Sequence, residues 1–79
     1  MRRSLVEGNQ EAGIVKFFKD DRGFGFIEPD GGGNDVFLHA SILRAFGQTS
    51  VGEGARIVFV AQPRLGKKAR EVTRIISLE

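Results

Sequence analysis

Phe24, Phe26, Phe37 and His39 are the side chains of this sequence best placed to act on another molecule. They sit in two short alternating segments, Arg22-Gly23-Phe24-Gly25-Phe26-Ile27 and Val36-Phe37-Leu38-His39. Successive side chains in a strand point to opposite faces. The four rings therefore share one parity, and Gly25, Ile27, Val36 and Leu38 share the other. Two such strands, paired, carry rings on one face and aliphatics on the other. A small barrel has one interior, and the aliphatic face, joined by Val15, fills it. Turning the faces over would put Ile, Val and Leu into water and His39 inside. The chemistry expected of the outward face is stacking against unpaired nucleic-acid bases. Each stacked base contributes about 1–3 kcal/mol and is tolerant of sequence.

Other chemistries fit these residues less well. As a catalytic base, His39 would need a nucleophile and an orienting acid. Ser41 is close in sequence, but nothing marks a triad. One histidine and no cysteine give no metal-ligand spacing. Gly31-Gly32-Gly33 lacks the Gly-Lys-Ser/Thr and the following helix of a phosphate loop, so it reads as a hairpin tip. No catalysed reaction, cofactor or small-molecule substrate is expected. His39 is expected to stack on or hydrogen-bond to a base, with a purely structural role as the alternative.

Twelve Lys and Arg against ten Asp and Glu give a net charge of +2, a weak lean toward anionic partners. Binders of double-stranded DNA are often far more basic. Lys16, Lys19 and Arg22 lie beside the first aromatic segments, and Arg64, Lys67, Lys68, Arg70 and Arg74 crowd the C-terminal end. Lys16, Lys19, Arg22, Lys67 and Lys68 are candidate phosphate contacts, with ordinary solvated charge as the alternative. Phosphate contacts would carry no sequence information but would make binding fall with salt. No apolar run is long enough for a membrane helix. Met1-Arg2-Arg3 is followed only by Leu5-Val6 before Glu7, too little for the apolar core of a signal peptide. A cytoplasmic location with no membrane partner is expected.

The elements that must position these residues follow from local pattern. Residues 1–12 are polar, mixed in charge and without periodicity, and read as a flexible tail ahead of one domain over residues 13–77. Strands are expected over 14–18, 24–28, 35–39, 56–61 and 69–76, with Phe59 in the core. Lys19-Asp20-Asp21-Arg22-Gly23 and Pro29-Asp30-Gly31-Gly32-Gly33-Asn34 are turns. Residues 40–45 predict no more than a single helical turn after Ser41, and 46–54 a long loop. Leu78-Glu79 reads as a tail. Five short strands at close spacing indicate an all-β fold, a small antiparallel barrel or sandwich. A chain of 79 residues without disulfides holds only a small core, worth about 3–5 kcal/mol net.

With the motifs placed, a resemblance can be stated. Gly13-Ile14-Val15-Lys16-Phe17-Phe18, then Gly23-Phe24-Gly25-Phe26-Ile27, then Asp35-Val36-Phe37-Leu38-His39 resembles the bacterial cold-shock domain. The glycine-aromatic segment is similar to that family's first ribonucleoprotein motif, and residues 36–39 to its second. The resemblance spans about residues 13–76. It implies a five-stranded antiparallel OB-fold barrel that binds single-stranded RNA and DNA and acts as an RNA chaperone or a transcription antiterminator. Matched residue by residue, the family's contacts fall on Lys16, Phe17, Phe18, Phe24, Phe26, Phe37 and His39. Alternation alone cannot orient Phe17 and Phe18, which are adjacent; the family reading has both accessible, and that needs a twist or bulge.

The departures from the family pattern are specific. Phe17 stands where the family has Trp, and Ala40 where it commonly has another aromatic. Gln48 follows Gly47 where an aromatic is frequent, and Gly66-Lys67-Lys68 replaces a Gly-Pro turn. Reduced stacking is expected to be partly offset by added phosphate attraction. A second reading from a different class keeps the same face as an apolar patch of a small-barrel protein-interaction module. A monomer is expected, with a dimer as the alternative, and the residues do not choose between RNA and DNA.

Overall fold

The computed structural model describes residues 9–79; residues 1–8 of the expected tail lie outside the described residues. Five strands and one helix follow in order: β1 (Glu11–Lys19), β2 (Phe24–Pro29), β3 (Val36–His39), α1 (Ala40–Phe46), β4 (Arg56–Gln62) and β5 (Glu71–Leu78). The strands close into a barrel in the order β1-β2-β3-β5-β4. Closure removes the exposed strand edges that a sheet this small would otherwise present. Every pairing is antiparallel except β3 with β5, which touch in parallel through Phe37 and Glu71. There the Phe37 N–H donates to the Arg70 carbonyl at 2.8 Å.

The interior is the aliphatic parity of the strands. Val15, Ile27, Val36, Leu38, Ile57, Phe59, Val72 and Ile75 form one buried cluster with Leu43 of α1. Each fully buried side chain of this kind contributes about 1.5–3 kcal/mol relative to exposure. No charged or polar residue is buried among the described residues. Phe59 is in the core, as its apolar strand predicts.

Three local expectations need correction. The barrel begins at Glu11, so the last two residues of the expected tail pair with β4, Glu11 opposite Phe59 and Ala12 opposite Val58. At the other end Leu78 is not a tail but pairs with Ile57, and the Glu79 N–H donates to the Arg56 carbonyl at 2.9 Å. Segment 40–46 makes seven helical residues rather than a single turn. Its stability is tertiary. Leu43 plugs the barrel with no exposure, the His39 side chain caps the N-terminus, and Gly47 ends the helix at φ 98°. That left-handed conformation costs glycine little, and the Gly47 and Gln48 N–H groups donate to the Arg44 and Leu43 carbonyls, both at 2.9 Å.

Candidate nucleic-acid interface

The sequence left Phe17 and Phe18 unoriented, and β1 resolves them with a bulge. Register runs from Val15 opposite Ile27 directly to Phe17 opposite Phe26, so Lys16 is an extra residue in β1. The insertion resets parity. Phe17 joins the outer face, where it meets Phe26 at 5.8 Å between ring centroids. Phe18 is opposite Gly25 and packs against the core. A Cβ on Gly25 would lie 2.2 Å from the Phe17 carbonyl oxygen and 2.8 Å from the Phe18 ring. The missing side chain of Gly25 is therefore the space that the Phe18 ring uses. Both phenylalanines are half-buried; Phe17 packs with the outer rings, whereas Phe18 packs against the core from beneath.

Around Phe17 the rings form a connected surface across three strands. Phe24 pairs opposite His39, and Phe26 opposite Phe37. Phe24 and Phe37 stack with centroids 5.8 Å apart and planes at 23°. Phe26 meets Phe24 and Phe37 edge-on at 6.2 and 5.7 Å, and Phe37 meets His39 at 6.3 Å. Edge-to-face and offset contacts of this kind hold rings in place by their quadrupoles. All four phenylalanine rings keep part of their surface in solvent, and His39 is exposed.

His39 is fixed by the helix that follows it. Its Nδ1 accepts the Ser41 backbone N–H at 3.0 Å, and the Ser41 hydroxyl lies 2.9 Å from the same nitrogen. A ring nitrogen that accepts is unprotonated, so the neutral ring carries its proton on Nε2. That nitrogen is left as a donor for a ligand.

The candidate cations are placed unequally. Lys16 is held by Asp35 at 2.9 Å, and this pairing raises its pKa above the ordinary value. Arg22 is exposed in the β1–β2 turn, and Lys67 and Lys68 are exposed in the turn before β5. None of these three makes an ion pair among the described residues. Two cations reach the rings, Lys19 from the expected phosphate contacts and Arg64 from outside them. Lys19 Nζ lies 5.5 Å from the Phe17 centroid, and Arg64 Cζ lies 4.5 Å from that of Phe37. Arg64 also donates to the Ala69 carbonyl at 3.4 Å, which spans the turn. The signal available for Arg64 was its membership of the C-terminal basic group; its reach across the barrel was not legible.

Comparison with known proteins agrees with this geometry. A profile described as the 'Cold-shock' DNA-binding domain matches residues 11–75, the barrel almost end to end. The chain belongs to the cold-shock domain family. It is similar to cold shock protein CspV of Vibrio cholerae, 38% identical over 66 residues that cover 84% of this chain and 91% of that protein. It is similar to cold shock protein CapA of Pseudomonas fragi, 45% identical over 53 residues covering 67% and 83% of the two chains. It is also 43% identical to cold shock protein ScoF of Streptomyces coelicolor over 63 residues, 78% of this chain and 94% of that one. The closed five-stranded barrel is the OB-type fold of cold-shock domains, and the domain is a nucleic-acid-binding one. No helix among the described residues is long and apolar enough to cross a membrane.

Proposed function

We propose that this cold-shock barrel binds unpaired RNA or DNA by stacking bases on Phe17, Phe24, Phe26, Phe37 and His39. One observation carries the reading: the rings contact one another across three strands on the face turned away from a core that aliphatic side chains and Phe59 already fill. Rings needed for packing would lie inside, where the only phenylalanine with no exposure is Phe59. Phe18 contributes from beneath, by holding β1 against β2 at Gly25.

Arg22, Lys67 and Lys68 track the phosphates, joined by Arg64 and by Lys16 once it exchanges Asp35 for a phosphate. The result is low sequence specificity, strong dependence on salt and preference for single strands, since a base inside a duplex cannot offer its face. The consequence for RNA is that strands are kept open, as an RNA chaperone or transcription antiterminator requires. The protein works by binding and catalyses no reaction.

The test is fluorescence anisotropy with a labelled pyrimidine-rich single strand and its duplex at low and moderate salt. Tighter binding of the single strand, falling as salt rises, is the expected result. Absence of binding to either would remove the reading and leave the ring face to a protein partner.

A further inference from the structure

Beside the ring surface a pocket of about 310 Å³ opens between β3, α1 and the start of β5. It is at the lower end of the ~300–1,000 Å³ typical of small-ligand sites. Phe37, Ile42 and Val72 supply its apolar wall, and His39, Glu71 and Thr73 its polar groups. Glu71 is the notable member. It is the register partner of Phe37 across the parallel β3–β5 contact. Its neighbour Val72 is buried in the core, so Glu71 belongs to the outer face, the face of the Phe37 ring.

A carboxylate is an odd neighbour for a surface that attracts phosphates. It makes no ion pair among the described residues, where the pairs are Lys16–Asp35, Arg56–Asp30 and Arg70–Glu11. Ionised, it accepts hydrogen bonds and donates none. Phe37 and Glu71 line the same pocket, so a base that displaces Arg64 and rests on Phe37 has this pocket beside it, and on the stacking reading its edge turns toward Glu71. Guanine alone presents two adjacent donors there, N1–H and the N2 amino group, matched to two carboxylate oxygens. Adenine and cytosine pair one amino donor with a ring acceptor. Thymine and uracil flank one N–H with two carbonyls that repel the carboxylate. The Nε2–H of His39, which lines the same pocket, is a donor for guanine O6.

We propose that this pocket is a guanine-selecting subsite on the stacking surface, with Glu71 reading the guanine edge. The proposal rests on the stacking reading above and adds base preference to it. Hydrogen bonds to a charged acceptor are among the stronger ones. A site built around such an acceptor disfavours a base that leaves it unpaired.

The experiment compares a short all-thymine strand with strands carrying one guanine, one adenine or one inosine at each position in turn, by fluorescence anisotropy. A guanine at one register is expected to tighten binding by about tenfold, the scale of a good bidentate base contact. Inosine keeps N1–H but lacks the N2 amino group, and it should lose most of that gain. Glu71→Gln, checked by circular dichroism for an intact fold, should bind the all-thymine strand as well as or better than the parent and show no guanine gain. Equal binding of all strands, or a guanine gain that survives Glu71→Gln, overturns the subsite while leaving stacking in place. Failure to bind any strand overturns the stacking reading itself.

Discussion

The guanidinium carbon of Arg64 lies 4.5 Å from the centroid of the Phe37 ring, so the turn after β4 reaches back over the aromatic surface of β2 and β3. A cation over a ring at an exposed site contributes about 0.5–1 kcal/mol. A guanidinium in this position both steadies the ring and places positive charge beside the stacking surface, where a phosphate would pass.

Arg64→Ala is therefore expected to weaken single-strand binding about equally for all sequences and to lower the slope of log affinity against log salt by about one. Anisotropy titrations over a range of salt read both quantities. An unchanged slope would mean that Arg64 rests on Phe37 without meeting a phosphate.

Phe24→Ala and Phe37→Ala should each weaken binding by about 1–3 kcal/mol, the worth of one stacked base. Both rings are only half-buried and stack on each other outside the core, so the circular dichroism spectrum should survive. An unfolded Phe37→Ala protein would place that ring among the packing residues instead.

Gly25→Ala and Gly31→Ala separate two kinds of glycine. A Cβ on Gly25 meets the Phe17 carbonyl at 2.2 Å, whereas one on Gly31 meets nothing within 4 Å. Forcing a methyl group into packed space costs about 1–3 kcal/mol or more, against a net stability of about 3–5 kcal/mol for so small a core. Urea denaturation should show a clearly lowered midpoint for Gly25→Ala and a midpoint close to the parent for Gly31→Ala. A stable Gly25→Ala would show that β1 can shift away from β2 without loss.

Glu11 and Arg70 join the first residue of the barrel to the segment before β5 by two hydrogen bonds, one of them at 3.0 Å. Hydrogen bonding to the Arg70 guanidinium holds the Glu11 carboxyl below its ordinary value of 4.5, against a smaller opposing effect of burial and with a lesser lowering from the Arg70 charge. A carboxylate with a lowered folded pKa adds stability that is complete above its unfolded pKa. That stability is lost as pH falls through the folded value. Both side chains are about one-third exposed, at 29% and 34%. Solvent screening keeps the pair to no more than about 1 kcal/mol. Glu11→Gln should therefore lower the urea midpoint slightly at neutral pH and match the parent well below pH 4.5. A difference that persists in acid would assign the effect to something other than ionisation of Glu11.

The alternation of Phe24, Phe26, Phe37 and His39 against Gly25, Ile27, Val36 and Leu38 made the two faces of β2 and β3 legible, because strand periodicity is a local rule. The turns read correctly for a similar reason: Gly and Asp clusters act within a few residues. Helix α1 was underestimated because its support is not local. Residues 40–46 become helical because Leu43 has a cavity to fill and His39 a cap to make.

By itself, then, the sequence determined the number of strands, the aliphatic parity that becomes the core, and the ring parity that becomes the surface. It also carried enough motif to place the chain among cold-shock domains. Tertiary structure decided where that parity breaks and which distant residues meet the rings. The bulge at Lys16, just past the stretch of β1 that pairs with β4, turns Phe17 outward and Phe18 inward. Arg64 reaches Phe37, and Glu71 comes beside it, only because the barrel closes β5 onto β3. Side-chain alternation is fixed by the chain's own geometry, whereas closure depends on contacts between residues far apart in sequence, which no local pattern encodes.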